Sequence, residues 1–379
     1  MRRRTYLFVF VLTLGEALLF SINSPFIAGL IGEGLVGAVY SLASIAALVI
    51  LALLPAILSR SRPSSILESL MLIAAATAIG TALSPGVALL GFLVIFLAVP
   101  QVTPALVDLY IEKESHNSDR GRAIGAEFTF MNMAFVIAPV IAGLVIARSG
   151  FDTLYVVAGI IFLLALAISR SFTRKVNISN THRHGSFLIG IKHAWRRKDV
   201  RVVLILAFLL QFFFSWMVIY TPIYLQFSFG FSFETLGLIF SIMLLPYILL
   251  EYPLGKLADN SLGEKELLTS GFALMALTVF AIPFITSGSV WVWAVILFGT
   301  RVGAAMVEGM SATYFYKKVK VEEVDLIALF RDQRPVAYLI GPILASLILS
   351  RGSMPTLFII LAVIMAMGAI LATRLHDTR

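Results

Sequence analysis

The chain has 379 residues, of which 59% are hydrophobic and only 13% charged, and its mean hydropathy is +0.96. Soluble domains carry about 45–50% apolar and about 25% charged residues, so this composition excludes a water-soluble globule and leaves length for about twelve membrane crossings and no separate soluble domain. A net charge of +8 without basic residues gathered on one soluble face argues against nucleic-acid binding, and zero Cys excludes disulfide scaffolds, thiolate metal sites and cysteine nucleophiles.

Arg2, Arg3 and Arg4 precede an apolar run that continues to about Ile31 with no small-residue cleavage site, which predicts a retained first span. Further spans are predicted at about 34–57, 65–83, 86–110, 122–147, 152–170, 201–226, 232–254, 267–286, 289–314, 324–349 and 353–373. The long polar stretch Arg170–Arg201 separates an N-terminal bundle, 1–172, from a C-terminal bundle, 201–379, with a cytoplasmic linker over 173–200. Within the linker, Phe187, Leu188, Ile191, Ala194 and Trp195 recur on one helical face opposite Lys192, Arg196 and Arg197, which predicts an amphipathic helix lying on the inner leaflet of the bilayer. A calmodulin-like or nucleic-acid site is the alternative there. Basic residues fall in the N-terminal arm and in every second connection, whereas the opposite connections hold only Arg148 and Arg351. The positive-inside rule then puts both termini in the cytoplasm and requires an even number of spans.

The two halves repeat each other. Asn23-Ser24-Pro25-Phe26-Ile27 answers Tyr220-Thr221-Pro222-Ile223-Tyr224, 197 positions later, and Ala138-Pro139 answers Gly341-Pro342, 203 positions later. Nearly constant offsets at distant points argue for duplication. Between the eighth and ninth spans, Pro253-Leu254-Gly255-Lys256-Leu257-Ala258-Asp259-Asn260-Ser261-Leu262-Gly263-Glu264-Lys265 reads as a tight polar hinge. In it Gly255 allows close approach of two helix ends, Asp259 caps the next helix and Gly263 supplies a turn with free φ. The first-half copy, near Pro55 to Arg62, has Pro55 and Ser59 in place of the Gly and the Asp.

The hinge resembles the loop signature of the major facilitator superfamily, with Asn260 in place of a basic residue and Glu264-Lys265 in place of a basic pair. The stretches Asp108 to Glu112 and Asp119 to Gly125 likewise resemble that family's cytoplasmic connector. The resemblance implies an all-α membrane protein of twelve transmembrane helices in two pseudo-symmetric six-helix bundles. It also implies a central cavity lined by helices 1, 4, 7 and 10, flanked by 2, 5, 8 and 11, with 3, 6, 9 and 12 toward lipid.

Charges inside spans are costly and mark sites of function. Away from the span ends they are Glu16, Glu127, Arg301, Glu308, Arg331, Asp332 and Arg334, and the third, sixth, ninth and twelfth spans have none. That distribution agrees with the partition the resemblance implies. Arg301 and Glu308 share a face about 10.5 Å apart, with Ala304 and Ala305 between them leaving space; ordinary packing of small residues explains the alanines as well. Glu16 and Asn23 share a face of the first span, and Asn132 lies in the fifth. Gln211, Trp216 and Tyr220 in the seventh offer aromatic surface with polar tips for an amphipathic ligand, although such stripes more often pack helices. These residues form the candidate substrate and proton site. Asp108, Gly255, Asp259, Gly263, Arg331, Asp332 and Arg334 form the candidate gating set.

No nucleotide-binding loop, metal cluster or catalytic set stands out, so the chain reads as a transporter rather than an enzyme, needing no cofactor. The expectation is a monomeric, multi-pass protein of the cell membrane, whose partners are a small-molecule substrate, protons and the lipid bilayer, with no nucleic acid. It works by alternating access, with proton-coupled efflux of amphipathic compounds as the first reading. A symporter or uniporter for a sugar or an organic anion held by Arg301 is the second, and a transport-incompetent receptor or lipid-handling protein the third. Leu97-Ala98-Val99-Pro100-Gln101 lacks the arginine that such efflux carriers place in the fourth helix. Glu16 is expected to carry the proton, with Arg301 as its electrostatic partner and Glu127 and Glu308 as competitors.

Overall fold

The computed structural model describes residues 2–114, 120–171, 173, 187–260, 262–320 and 322–376. Among the described residues every regular element is helical. Nine helices among the described residues are long and apolar enough to cross a membrane, joined by the shorter apolar stretch Phe233–Leu249.

The order is α1 (Arg2–Phe20), α2 (Asn23–Ile31), α3 (Glu33–Arg60), α4 (Pro63–Leu83), α5 (Val87–Glu114), α6 (Arg120–Arg170), α7 (Phe187–Trp195) and α8 (Lys198–Phe229). Then come α9 (Phe233–Leu244), α10 (Pro246–Leu249), α11 (Glu251–Asn260), α12 (Glu264–Ala281), α13 (Val290–Lys318), α14 (Val324–Arg331), α15 (Gln333–Leu349) and α16 (Met354–Ala372). The breaks follow from prolines and glycines. Pro25 has no N–H for the Ser21 carbonyl, and the helix is interrupted at Ser21 and Ile22. Pro246 and Pro335 likewise follow the breaks at Leu245 and Asp332, so the spans predicted at about 232–254 and 324–349 are both interrupted helices. α6 is too long for one crossing and holds a single non-helical residue, Gly150 at φ 80°.

Packing divides the chain into two compact units, one of residues 1–182 and 225–241, the other of residues 183–224 and 242–379. In the first unit α1 and α4 pack on α6, and α5 on α3 and α4. A Cβ built at Gly159 would lie 2.6 Å from Ile79, so α4 and α6 approach closely only because a glycine stands there. In the second unit α12 packs on α13 and α16. There a Cβ at Gly303 would lie 2.6 Å from the Gly271 carbonyl oxygen, and one at Gly271 2.9 Å from that of Gly303, so the two backbones touch. Outside these cores the helices expose apolar stripes. Val363, Met367 and Ile370 on α16 are 54%, 62% and 64% exposed, an apolar face of the kind that lipid covers.

The hinge differs from its expectation. Residues 251–260 are helical, so the connection shrinks to 261–263. Gly263 stands at the N-cap of α12, and its N–H donates to Glu266 Oε2 at 3.1 Å. Its φ of −82° uses none of glycine's freedom, and a Cβ at Gly255 would meet nothing. The helix continues because Gly255 to Asn260 meet no proline, and the capping carboxylate is supplied from inside α12 instead. The side chain of Asp259 lies outside the described residues.

Candidate functional site

The most distinctive polar group of the second unit is Arg301. It lies in the middle of α13 and is 2% exposed, a position where a full charge requires a partner. Two aromatic rings of α8 flank its guanidinium, Phe213 at 5.4 Å and Phe214 at 5.3 Å from the ring centroids. These contacts are cation–π attractions worth about 0.5–2 kcal/mol. Nε and Nη1 of Arg301 find no hydrogen-bond acceptor among the described residues. Beside the guanidinium stands the buried hydroxyl of Tyr247 on α10, within its electrostatic reach. Glu308 is within electrostatic reach of Tyr247, and Tyr338 on α15 within reach of both Arg301 and Arg334. Four elements, α8, α10, α13 and α15, thus bring donors and aromatic surface to one place. An oxygen anion is the chemistry such donors accept.

Of the small residues expected to leave space beside Arg301, Ala304 is fully buried and Ala305 nearly so. Three other expected contacts are also committed to the fold. Asn23 Oδ1 accepts a 2.6 Å hydrogen bond from Tyr155, tying α2 to α6. Trp216 donates its indole N–H to the Gly341 carbonyl at 2.7 Å, and Tyr220 donates to that of Pro342 at 3.4 Å. Gln211 is half-buried on α8, and Asn132 half-buried on α6.

Among the carboxylates, Glu16 on α1, Asp108 on α5 and Glu127 on α6 are half-buried in the first unit, and Glu308 is exposed on α13. Glu16 and Arg301 belong to different units. Of the gating set, Asp332 sits at the break between α14 and α15 within reach of Arg331, and the Arg334 guanidinium lies 5.7 Å over the Tyr338 ring. The connector residues 115–119 lie outside the described residues, as do the side chains of Glu112, Arg120 and Arg122. Sequence reasoning singled out Arg301 and missed Phe213, Phe214 and Tyr247. The seventh-span face it chose runs through Phe212 and Trp216, and no spacing in the chain connects Tyr247 to Arg301.

Ion pairs fasten helix ends within the second unit. Lys317 in the last turn of α13 pairs with the buried Glu264 that opens α12. Asp199 receives both His376 at 2.8 Å and Lys318 at 3.4 Å.

Comparison with known proteins agrees with this architecture. The family model described as Major Facilitator Superfamily matches residues 5–330 and again 222–378. The structure is similar to a crystal structure of a mutant of the nucleoside transporter NupG, with a TM-score of 0.78, 15% sequence identity and 98% of each chain covered. No curated protein matches the chain. A family match that runs over residues 5–330 and again over 222–378 leaves one assignment: the chain belongs to the Major Facilitator Superfamily.

Proposed function

We propose that this membrane transporter carries a small organic anion by alternating access, with Arg301 holding the anionic group. The observation that supports the reading is the buried guanidinium whose Nε and Nη1 have no acceptor among the described residues. A carboxylate there would satisfy those donors and take a further hydrogen bond from Tyr247, while Phe213 and Phe214 shield the pair from water and strengthen it. Efflux of amphipathic compounds draws less support, because Trp216 and Tyr220 spend their polar tips on α15. The name of the similar structure points to nucleosides. At 15% identity that likeness speaks for the fold, and a neutral nucleoside would leave the Arg301 charge uncompensated. Proton coupling is assigned to Glu16, a carboxylate inside a span.

Counterflow in proteoliposomes tests the proposal. Labelled organic anions should exchange, and neutral nucleosides, sugars or lipophilic cations should not compete. Arg301→Gln should weaken binding by about 1.5–3 kcal/mol, roughly ten- to a hundredfold, the worth of hydrogen bonds to a charged group. Glu16→Gln should abolish accumulation driven by a pH gradient and spare exchange. Exchange of cations or nucleosides with undiminished affinity in Arg301→Gln would overturn the substrate class.

A further inference from the structure

The linker helix α7 was expected to lie on the bilayer by amphipathicity alone. Instead one of its faces is clamped to protein. Gly190 rests against the backbone of Asp325 and the Cβ of Leu329 on α14, too close for any side chain, and Ala194 is buried beside it. His193 Nδ1 lies 3.8 Å from Asp325, and Arg197 Nη1 donates to Glu323 Oε1 at 2.8 Å. The acidic groups that face α7 are therefore both on its protein side. Asp199, at the start of α8, is occupied by His376 and Lys318.

The other face has a different character. Ile189, Ile191 and Trp195 are 47%, 41% and 68% exposed, and Lys192, Arg196 and Lys198 are exposed between and beyond them. The Arg201 guanidinium lies 5.1 Å over the Trp195 ring and donates to the Trp195 carbonyl at 3.2 Å, which holds the indole outward. Only two residues separate α7 from α8, the 32-residue apolar helix that crosses the membrane, so this face stands at the level where headgroups begin.

We infer that the outer face of α7 is a docking surface for the phosphates of anionic lipids, which fix α7 and, through Gly190, brace α14 on the membrane surface. The argument is charge complementarity joined to exposed apolar surface. Trp and Ile suit the boundary between headgroup and acyl chain, whereas Lys192, Arg196 and Arg201 suit a negative surface. A nucleic acid would meet the same basic groups and leave the isoleucines exposed to water.

The absence of native cysteine makes the test direct. A spin label on Ile191→Cys of the full-length protein is compared in nanodiscs of neutral phosphatidylcholine and of phosphatidylcholine with phosphatidylglycerol. Phosphatidylglycerol should raise the label's access to oxygen and lower its access to a nickel chelate. The triple variant Lys192→Gln/Arg196→Gln/Arg201→Gln should lose that response, whereas the charge-keeping Lys192→Arg/Arg196→Lys/Arg201→Lys should keep it. Phosphatidylglycerol binding in detergent should weaken about fivefold for each basic side chain removed, the equivalent of about 1 kcal/mol. Equal accessibility in both nanodiscs, or a normal response in the Gln variant, would overturn the inference. So would protection by an RNA oligonucleotide in neutral nanodiscs, which would identify a soluble polyanion as the partner.

Discussion

At Gly341 a hydrogen stands where any other residue has a carbon. That lets the backbone of α15 rest against Ser215 and Trp216 of α8. A Cβ there would collide with Ser215 Oγ and lie 3.2 Å from its Cβ and 3.3 Å from Trp216 Cδ1, while Trp216 holds the Gly341 carbonyl in register. Because overpacking costs about 1–3 kcal/mol, Gly341→Ala should lower stability by that amount in a thermal or denaturant titration. Adding Ser215→Ala should recover part of the loss by removing the hydroxyl. A double variant as unstable as the single one would show that the clash lies elsewhere. The sequence showed Gly341 only as half of a repeated Gly/Ala-Pro pair, without the reason for it. The same limit applies to Arg301, whose unusual place in an apolar span was legible from charge alone. Its partners were not, since Phe213, Phe214 and Tyr247 come from helices whose facing depends on packing.

Helix ends show where local rules suffice. Pro25, Pro246 and Pro335 each accompany an interruption, as a residue without an N–H must favour, and the apolar runs marked the long helices. The hinge was misread because Gly and Asp look like loop residues in isolation, and a helix bearing Gly255 and Asp259 carries no local sign against it. The docking of α7 was hidden for a different reason. It depends on Glu323 and Asp325, more than a hundred residues away, and amphipathicity does not tell protein from lipid as the cover of an apolar face. That docking has a definite pH dependence. Burial pushes the Glu323 carboxyl up, but the Lys320 N–H at 2.8 Å and the Arg197 guanidinium outweigh it and hold the group below its ordinary value of 4.5. A depressed carboxylate contributes stability above its unfolded pKa and loses it as pH falls through the folded value. The Arg197–Glu323 clip should therefore be intact at neutral pH and open only below the usual glutamate range. Spin labels at Ile191→Cys and Glu322→Cys should give a narrow distance distribution at neutral pH and a broad one in acid. In Glu323→Gln the distribution should be broad at both. A distribution as narrow in acid as at neutral pH would overturn this dependence.

For the whole molecule, the charges and the turns tell one story. Among the described residues, the glycines at positive φ, Gly32, Gly86, Gly150 and Gly230, fall in alternate connections. These are the connections nearly empty of Lys and Arg, whereas Arg60, Arg62, Arg170, Lys256, Lys317 and Lys318 lie at the intervening ones. Tight glycine turns suit the translocated side, where little chain need be exposed, and basic residues are retained in the cytoplasm. Both termini and the linker should therefore face the cytoplasm, with Ser287, in the exposed connection between α12 and α13, outside. The chain has no cysteine to give background, so single Cys residues report each position cleanly. An impermeant thiol reagent applied to intact cells should label Ser287→Cys, and should reach Ser179→Cys and Thr378→Cys only after permeabilisation. The last two positions lie outside the described residues, and the labelling reports their side of the membrane without reference to their structure. Because Thr378 and the N-terminal arm share a side only if the number of crossings is even, a Cys at Arg2 labelled together with Thr378 would support twelve spans over an odd count. Labelling of Ser179→Cys from outside would invert the orientation, and labelling of Thr378→Cys alone would break the twelve-span arrangement in the second half.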